Sequence, residues 1–428
     1  MKKRYYELLD LDVYKEKLDN GLEIYVIPIK KFSKSYVQIT AKYGSIHNNF
    51  KYKDSGEFKN MPAGIAHFLE HKLFEQENGE DPFDYFEKTS SDTNANTSRL
   101  KTSYLFYGRN NILENVDYLL DMVQSPYFTD ENVSKEKGII KEEARMYLND
   151  PYSYLYDLSF ENTFHYSEYR VPIIGTITSI DQITKEQLIE CYETFYHPEN
   201  MFMTISGNVD PKEVIERIKK NQSKKTFSKF KGYELLKKEE PNSVLVPRSE
   251  ISLGLDYSIG IVNYKIDLKE LSKVAEENNV DMKKVIPILM DIKFSNSSYF
   301  FQKIVDEDLT IGSHYDYHFF TEDHLIINFA FKTDKNVDIL FDLIDKTLKE
   351  PIVDSKDFER KKKYKIAGIS NLSGDIFSPN NHVISCVVKD GDINYNAFEE
   401  LKSITFEKFL NVVSALTFEN KSIVVGKK

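Results

Sequence analysis

Two histidines four residues apart with a glutamate between them, His67, Glu70 and His71, are the residues of this sequence best spaced for metal chemistry. On a helix at about 100° per residue, Ile65, Phe68, Leu69, Lys72 and Leu73 fall on one side, and His67, Glu70, His71 and Phe74 fall on the other. Imidazoles at i and i+4 can both reach one ion, and the carboxylate at i+3 lies beside them. A two-histidine site needs a third ligand, and a second helix offers one. Between Thr129 and Tyr147, Val133, Ile140, Ala144 and Tyr147 form an apolar stripe, while Lys137, Lys141, Glu142 and Arg145 lie away from it. Glu136 and Glu143 sit inside that stripe, 143 − 136 = 7 residues or two turns apart, so both carboxylates point the same way. A buried glutamate is rare unless it is paired or metal-bound.

Other histidines carry less. His314, Asp316 and His318 alternate along a strand and read as a polar solvent face, and His197 before Pro198 reads as a capping or packing residue.

The elements that must position the first group follow from periodicity. Residues 23–30 and 35–45 alternate as strands, with an Asn20-Gly21 turn signal for an opening hairpin. Helical patterns cover 61–76, 111–125, 130–148, 152–164 and 180–196, and strand patterns cover 92–98, 102–108 and 201–207. The lysine-rich, polar stretch 219–245 reads as a solvated linker. Beyond it come helix-like 281–305, strand-like 309–332 and helix-like 335–350 and 354–370. Ile183-Thr184 opens a helix leading to a strand that ends at Gly207, and Ile404-Thr405 opens another leading to Gly426. The offsets of 207 − 183 = 24 and 426 − 404 = 22 suggest one unit used twice. The expectation is an α+β chain with domains at 1–218 and 246–428, the second similar to the first but without the metal motif.

A chain of 428 residues has room for two cores. Its charge, 57 − 68 = −11, repels phosphate backbones and anionic membranes, so neither nucleic acid nor membrane is an expected partner. The two cysteines, Cys191 and Cys386, are too few and too far apart for a disulfide framework and fit a reducing compartment, the cytoplasm. Charges interrupt every apolar run near the N-terminus, and no stretch approaches the roughly 20 apolar residues of a membrane span.

With Glu136 and Glu143 downstream, His67-Phe68-Leu69-Glu70-His71 resembles the inverted zinc motif of the pitrilysin and insulinase metallopeptidases. The likeness is to their short bacterial two-domain members, relatives of mitochondrial processing peptidase. It is specific from the opening strands to about Asp210 and architectural beyond. It implies two mainly antiparallel sheets packed with helices, together half of a clam-like peptidase chamber. It implies that His67, His71 and Glu143 bind Zn2+, that Glu70 is the general base, and that Glu136 orients a ligand imidazole while Glu142 faces solvent. Residues 93–98 and 102–107 resemble the family's strand pair beside the zinc, which would place Asn94, Ala95 and Asn96 at an edge that takes substrate as an added strand.

Active relatives also carry an arginine and a tyrosine in the second domain. Residues 300–317 contain no arginine, none occurs between Arg248 and Arg360, and Tyr315 and Tyr317 are out of register. The implied protein is the catalytic subunit of a heterodimeric peptidase acting on short or unfolded peptides, with a homologous, non-catalytic partner chain supplying Arg and Tyr. The alternative is a catalytically silent structural or peptide-binding subunit.

Overall fold

The alternating apolar runs pair into three sheets in the computed structural model, which describes residues 1–352 and 354–428. The first half supplies β1 (Lys2–Tyr6), β2 (Leu11–Lys17), β3 (Glu23–Pro28), β4 (Ser35–Ala41), β5 (Asn49–Tyr52) and β6 (Lys59–Asn60). It continues with β7 (Ser91–Thr97), β8 (Thr102–Gly108), β9 (Met201–Gly207) and β10 (Tyr233–Leu235). The remainder supplies β11 (Arg248–Ser252), β12 (Ser258–Asp267), β13 (Tyr315–Phe320), β14 (His324–Thr333) and β15 (Lys421–Lys427). The large sheet runs β1-β2-β3-β9-β4-β8-β7, a small one β10-β5-β6, and the third β11-β15-β12-β14-β13. The opening hairpin of β2 and β3 forms as its Asn20-Gly21 turn signal predicts.

The chain divides into two compact units, and neither is continuous. Unit one holds residues 1–145, 171–237 and 369–395; unit two holds 146–170, 238–368 and 396–428. Two helices therefore fall on the opposite side of the expected division. Helix Pro151–Thr163 packs on β12 and β15, where Leu155 is buried among Ile259, Ile261 and Val424. The Asn263 side chain donates to Ser159 O at 3.1 Å and Thr163 Oγ1 at 3.0 Å. Helix Phe377–Asp390 packs on β3, β4 and β9, where Thr204 Oγ1 donates to Asn380 Oδ1 at 2.7 Å. A sheet covered by helices on one face still needs its other face covered, and these two helices supply that layer.

Several expected elements are corrected. The pattern over 61–76 yields only Ile65–Lys72, because Gly64 sits at φ 90 and a Cβ there would lie 2.3 Å from Ile174 O. The pattern over 180–196 splits into Ile177–Gln182 and Lys185–Phe195, since Thr176 and Thr184 each form a capping box. That over 281–305 breaks before Ser298, whose hydroxyl caps helix Tyr299–Asp306, and 309–332 contains the hairpin β13–β14. The stretch 219–245 is more than a solvated linker: helix Pro211–Gln222 runs into it and β10 pairs with β5. Within it, Glu240 accepts the backbone N–H groups of His165, Tyr166 and Ser167 at 2.8 to 2.9 Å and pairs with buried Lys265 at 2.6 Å.

In unit one the core joins Ile24, Val26, Val37, Ile39, Tyr104, Phe106, Met203 and Ile205 of the sheet to Phe68 and Leu69 of helix Ile65–Lys72. That helix, hereafter the histidine helix, packs against β7 and β8 and so lies beside the edge of the sheet. Among the described residues, no helix is long and apolar enough to cross a membrane.

Candidate metal centre

Burial of one face fixes the orientation of the histidine helix. Ile65, Phe68, Leu69 and Leu73 are fully buried, and Lys72 on the same side is buried and paired with Glu75. His67, Glu70 and His71 are thereby turned the other way, toward helix Asp130–Asn149, whose Val133, Ile140 and Ala144 are buried. The last member of the expected stripe, Tyr147, is instead 45% exposed.

One donor atom from each of His67, His71 and Glu143 lies within 4.8 Å of the others. His67 Nε2 is 3.8 Å from Glu143 Oε1, and His71 Nε2 is 3.5 Å from Glu143 Oε2. These separations are long for hydrogen bonds and near the roughly 3.3 to 3.5 Å between ligands at the corners of a tetrahedron around zinc. The donor set thus fits a zinc ion. Glu136 Oε1 lies 3.0 Å from His71 Nδ1, which holds that ring with its other nitrogen toward Glu143. His67 Nδ1 is buried without a hydrogen-bond partner. Glu142, one residue from Glu143, is 72% exposed and pairs with Arg145.

Burial pulls the His67 pKa down to about 4, with His71 adding to the effect, so its ring is neutral, the form that binds metals. For His71 burial acts in the same direction, but the hydrogen bond and charge of Glu136, with Glu143 and Glu70, raise it on balance. Burial raises Glu70, partly offset by the Thr97 hydroxyl, which donates to Glu70 Oε2 at 2.5 Å.

Thr97 ends β7, which pairs with β8 alone and leaves its other edge unpaired within the sheet. The expected substrate-edge residues Asn94, Ala95 and Asn96 lie on this strand, with Asn94 and Asn96 exposed. Two neighbours are not legible from the sequence. Thr97 looks like any strand threonine, and Lys101 like a loop lysine. Yet Lys101 Nζ donates to Asn96 Oδ1 and Ser103 Oγ, each at 3.0 Å. The signal that could have found them is the hairpin register, which faces Thr97 with Thr102 and Asn96 with Ser103.

Elsewhere, the polar solvent face expected at His314, Asp316 and His318 is corrected at His314, whose side chain is 9% exposed and lies edge-on to Phe300, whereas Asp316 is exposed. His197 does cap, accepting from Glu199 N, and stacks on Phe230.

Comparison with known proteins adds a second line. The family described as Insulinase (Peptidase family M16) matches residues 30–177, and the Peptidase M16 inactive domain matches residues 182–259. The Bacillus subtilis protein named "Uncharacterized zinc protease YmfH" is 44% identical over 250 residues, which cover 58% of this chain and 58% of that protein, so the match spans little more than half of either. The "Probable mitochondrial-processing peptidase subunit beta" of Arabidopsis thaliana is 28% identical over 37% of this chain and 30% of its own. The solved structure of an M16-like protein from Alicyclobacillus acidocaldarius superposes with a TM-score of 0.89 at 28% identity, covering 98% of this chain and 99% of that one.

Proposed function

Since the chain belongs to the insulinase-type peptidase family M16, we propose that it is the zinc-bearing, catalytic subunit of a peptidase that hydrolyses short or unfolded peptides. The observation that carries this reading is the convergence of His67, His71 and Glu143 with Glu70 beside them and Glu136 behind His71. His67, His71 and Glu143 hold the zinc, and Glu136 fixes the His71 ring. Bound there, zinc polarises the peptide carbonyl and makes water more acidic. Glu70, made more basic by burial and oriented by Thr97, takes the proton from the attacking water and passes it to the leaving amine. The unpaired edge of β7 at Asn94, Ala95 and Asn96 holds an extended peptide through its main chain.

The reading extends to a heterodimer with a homologous, non-catalytic partner chain, in the cytoplasm. Its support is the missing arginine: the two nearest the empty span are both engaged, Arg248 with Asp338 at 2.8 Å and Arg360 with Asp357 at 2.6 Å. In this reading the guanidinium that grips a substrate carbonyl or carboxylate from the second-domain side comes from another chain. Metal analysis and peptide cleavage with and without chelator, on this chain alone and with any copurifying homologue, test both parts. Chelator-insensitive cleavage, or no bound zinc, would overturn the first part. Full activity of the isolated chain would overturn the second.

A further inference from the structure

We propose that Lys101 is a specificity determinant that selects peptides carrying an acidic side chain within about two positions of the bond cut. The inference rests on the peptidase reading of the site and adds a subsite to it. Lys101 closes the turn between β7 and β8, where its backbone is tied to Ser98 by three hydrogen bonds: Ser98 N donates to Lys101 O at 2.8 Å, and Ser98 Oγ donates to Lys101 O and accepts from Lys101 N, each at 3.2 Å. The backbone from which the ammonium extends is thus fixed, and the side chain itself is held by Asn96 and Ser103.

Its partners are neutral. Nζ donates to Asn96 Oδ1 and Ser103 Oγ, and Ser103 Oγ is in turn 2.9 Å from Thr40 Oγ1. Among the described residues, the carboxylate whose charge reaches Lys101 is Glu70, which is held by Thr97. An ammonium that is partly removed from water and hydrogen-bonded only to uncharged oxygens keeps one N–H for a further acceptor, and a carboxylate is the acceptor that compensates its charge.

The register says where such a carboxylate would come from. Asn96 and Ser103 face each other and share a side of the sheet, so Lys101 lies on that side, while Thr97, one residue on, turns to Glu70. A peptide added along the unpaired edge of β7 places one residue opposite Asn96 with its side chain on the same side, about 5 Å away. A glutamate or aspartate there reaches the ammonium, whereas a lysine or arginine is repelled. Because the neighbouring strand position touches the base, this residue lies within about two positions of the bond cut.

The test uses the zinc-loaded full chain and pairs of short peptides identical except for one Glu or Gln, moved stepwise through a neutral host. Binding is read by competition in fluorescence anisotropy, and cleavage by mass spectrometry in the same samples. In one register the Glu peptide should bind, and where turnover occurs be cut, on the order of 10-fold better than its Gln twin. That ratio should collapse toward one in Lys101→Met, survive in Lys101→Arg, and shrink at about 0.5 M salt. Equal treatment of Glu and Gln in every register, or a ratio unchanged by Lys101→Met, overturns the proposal. So does an equal fall for both peptides, which would mean that Lys101 acts through Glu70. A Lys101-dependent ratio in binding, with no chelator-sensitive cleavage even when the copurifying homologue is added, supports the subsite and removes the peptidase reading. Chelator-sensitive cleavage without the ratio does the reverse.

Discussion

Units one and two share a five-strand plan down to the direction of each pairing. In unit one β3 runs parallel to β9, and β9, β4, β8 and β7 follow antiparallel; in unit two β11 runs parallel to β15, and β15, β12, β14 and β13 follow in the same way. What differs is what hangs on the plan. Where unit one inserts the histidine helix between β4 and β7, unit two has helix Met282–Phe294, with Val285, Ile286, Ile288 and Leu289 buried and no histidine. The edge strands differ as well. Asn94 and Asn96 lie exposed on β7, whereas β13 carries Tyr315, Tyr317 and Phe319, with Tyr317 bonded to Tyr156 and Phe319 stacked on Phe160. The repeated core is a matter of alternating apolar residues, and chemistry is added to the faces that the core leaves over.

The largest effects should come from making unit one resemble unit two. His71→Ala is expected to release the metal and abolish peptide cleavage; metal content equal to that of the parent chain would remove His71 from the ligand set. Glu70→Gln should keep the metal and lose about 10²- to 10⁴-fold in turnover, with Glu142→Gln as a near-silent control. Loss of metal from Glu70→Gln would exchange the roles of ligand and base.

Next in size is the turn that lets the histidine helix begin. Gly64→Ala adds a strained φ and a clash with Ile174 O, and should cost unit one about 3 kcal/mol in denaturant unfolding. Gly391→Ala, also at positive φ but with open space around it, should cost about 1 kcal/mol. Equal losses would mean that the contact with Ile174 is not what restricts residue 64.

Glu136→Gln should weaken metal binding by about 10- to 100-fold without abolishing it, because the amide can still orient His71 but carries no charge. Competition with a chromophoric chelator would measure this.

The smallest effect belongs to unit two. Burial, with the charge of Asp291, raises Asp316 to about 6, Lys365 opposing. A folded-state pKa above the unfolded value means the folded chain binds the extra proton, so stability is present below about pH 4 and is lost as pH rises through about 6. Asp316→Asn should flatten that slope and stabilise unit two by about 1 kcal/mol at pH 7, discounted for the partial exposure of the carboxyl. Parallel pH profiles for the two proteins would show that Asp316 is not the titrating group.

Helical periodicity makes half of the site legible in the amino-acid sequence alone. The face that carries His67, Glu70 and His71 opposite Ile65, Phe68 and Leu69, and the seven-residue step from Glu136 to Glu143, depend on contacts within one or two turns, and such contacts are written in consecutive residues. The repeated helix-to-strand ending is visible for the same reason. The tertiary structure alone decided which helix covers which sheet: 151–163 falls to unit two and 377–390 to unit one, because the exposed faces of β12 and β15 and of β4 and β9 are created only when strands far apart in sequence pair. It also decided that Thr97 meets Glu70 and that Lys101 meets Asn96 and Ser103. Both depend on the register of a hairpin, where a slip of one residue would turn every side chain to the opposite face, and neither threonine nor lysine carries that register in its own identity.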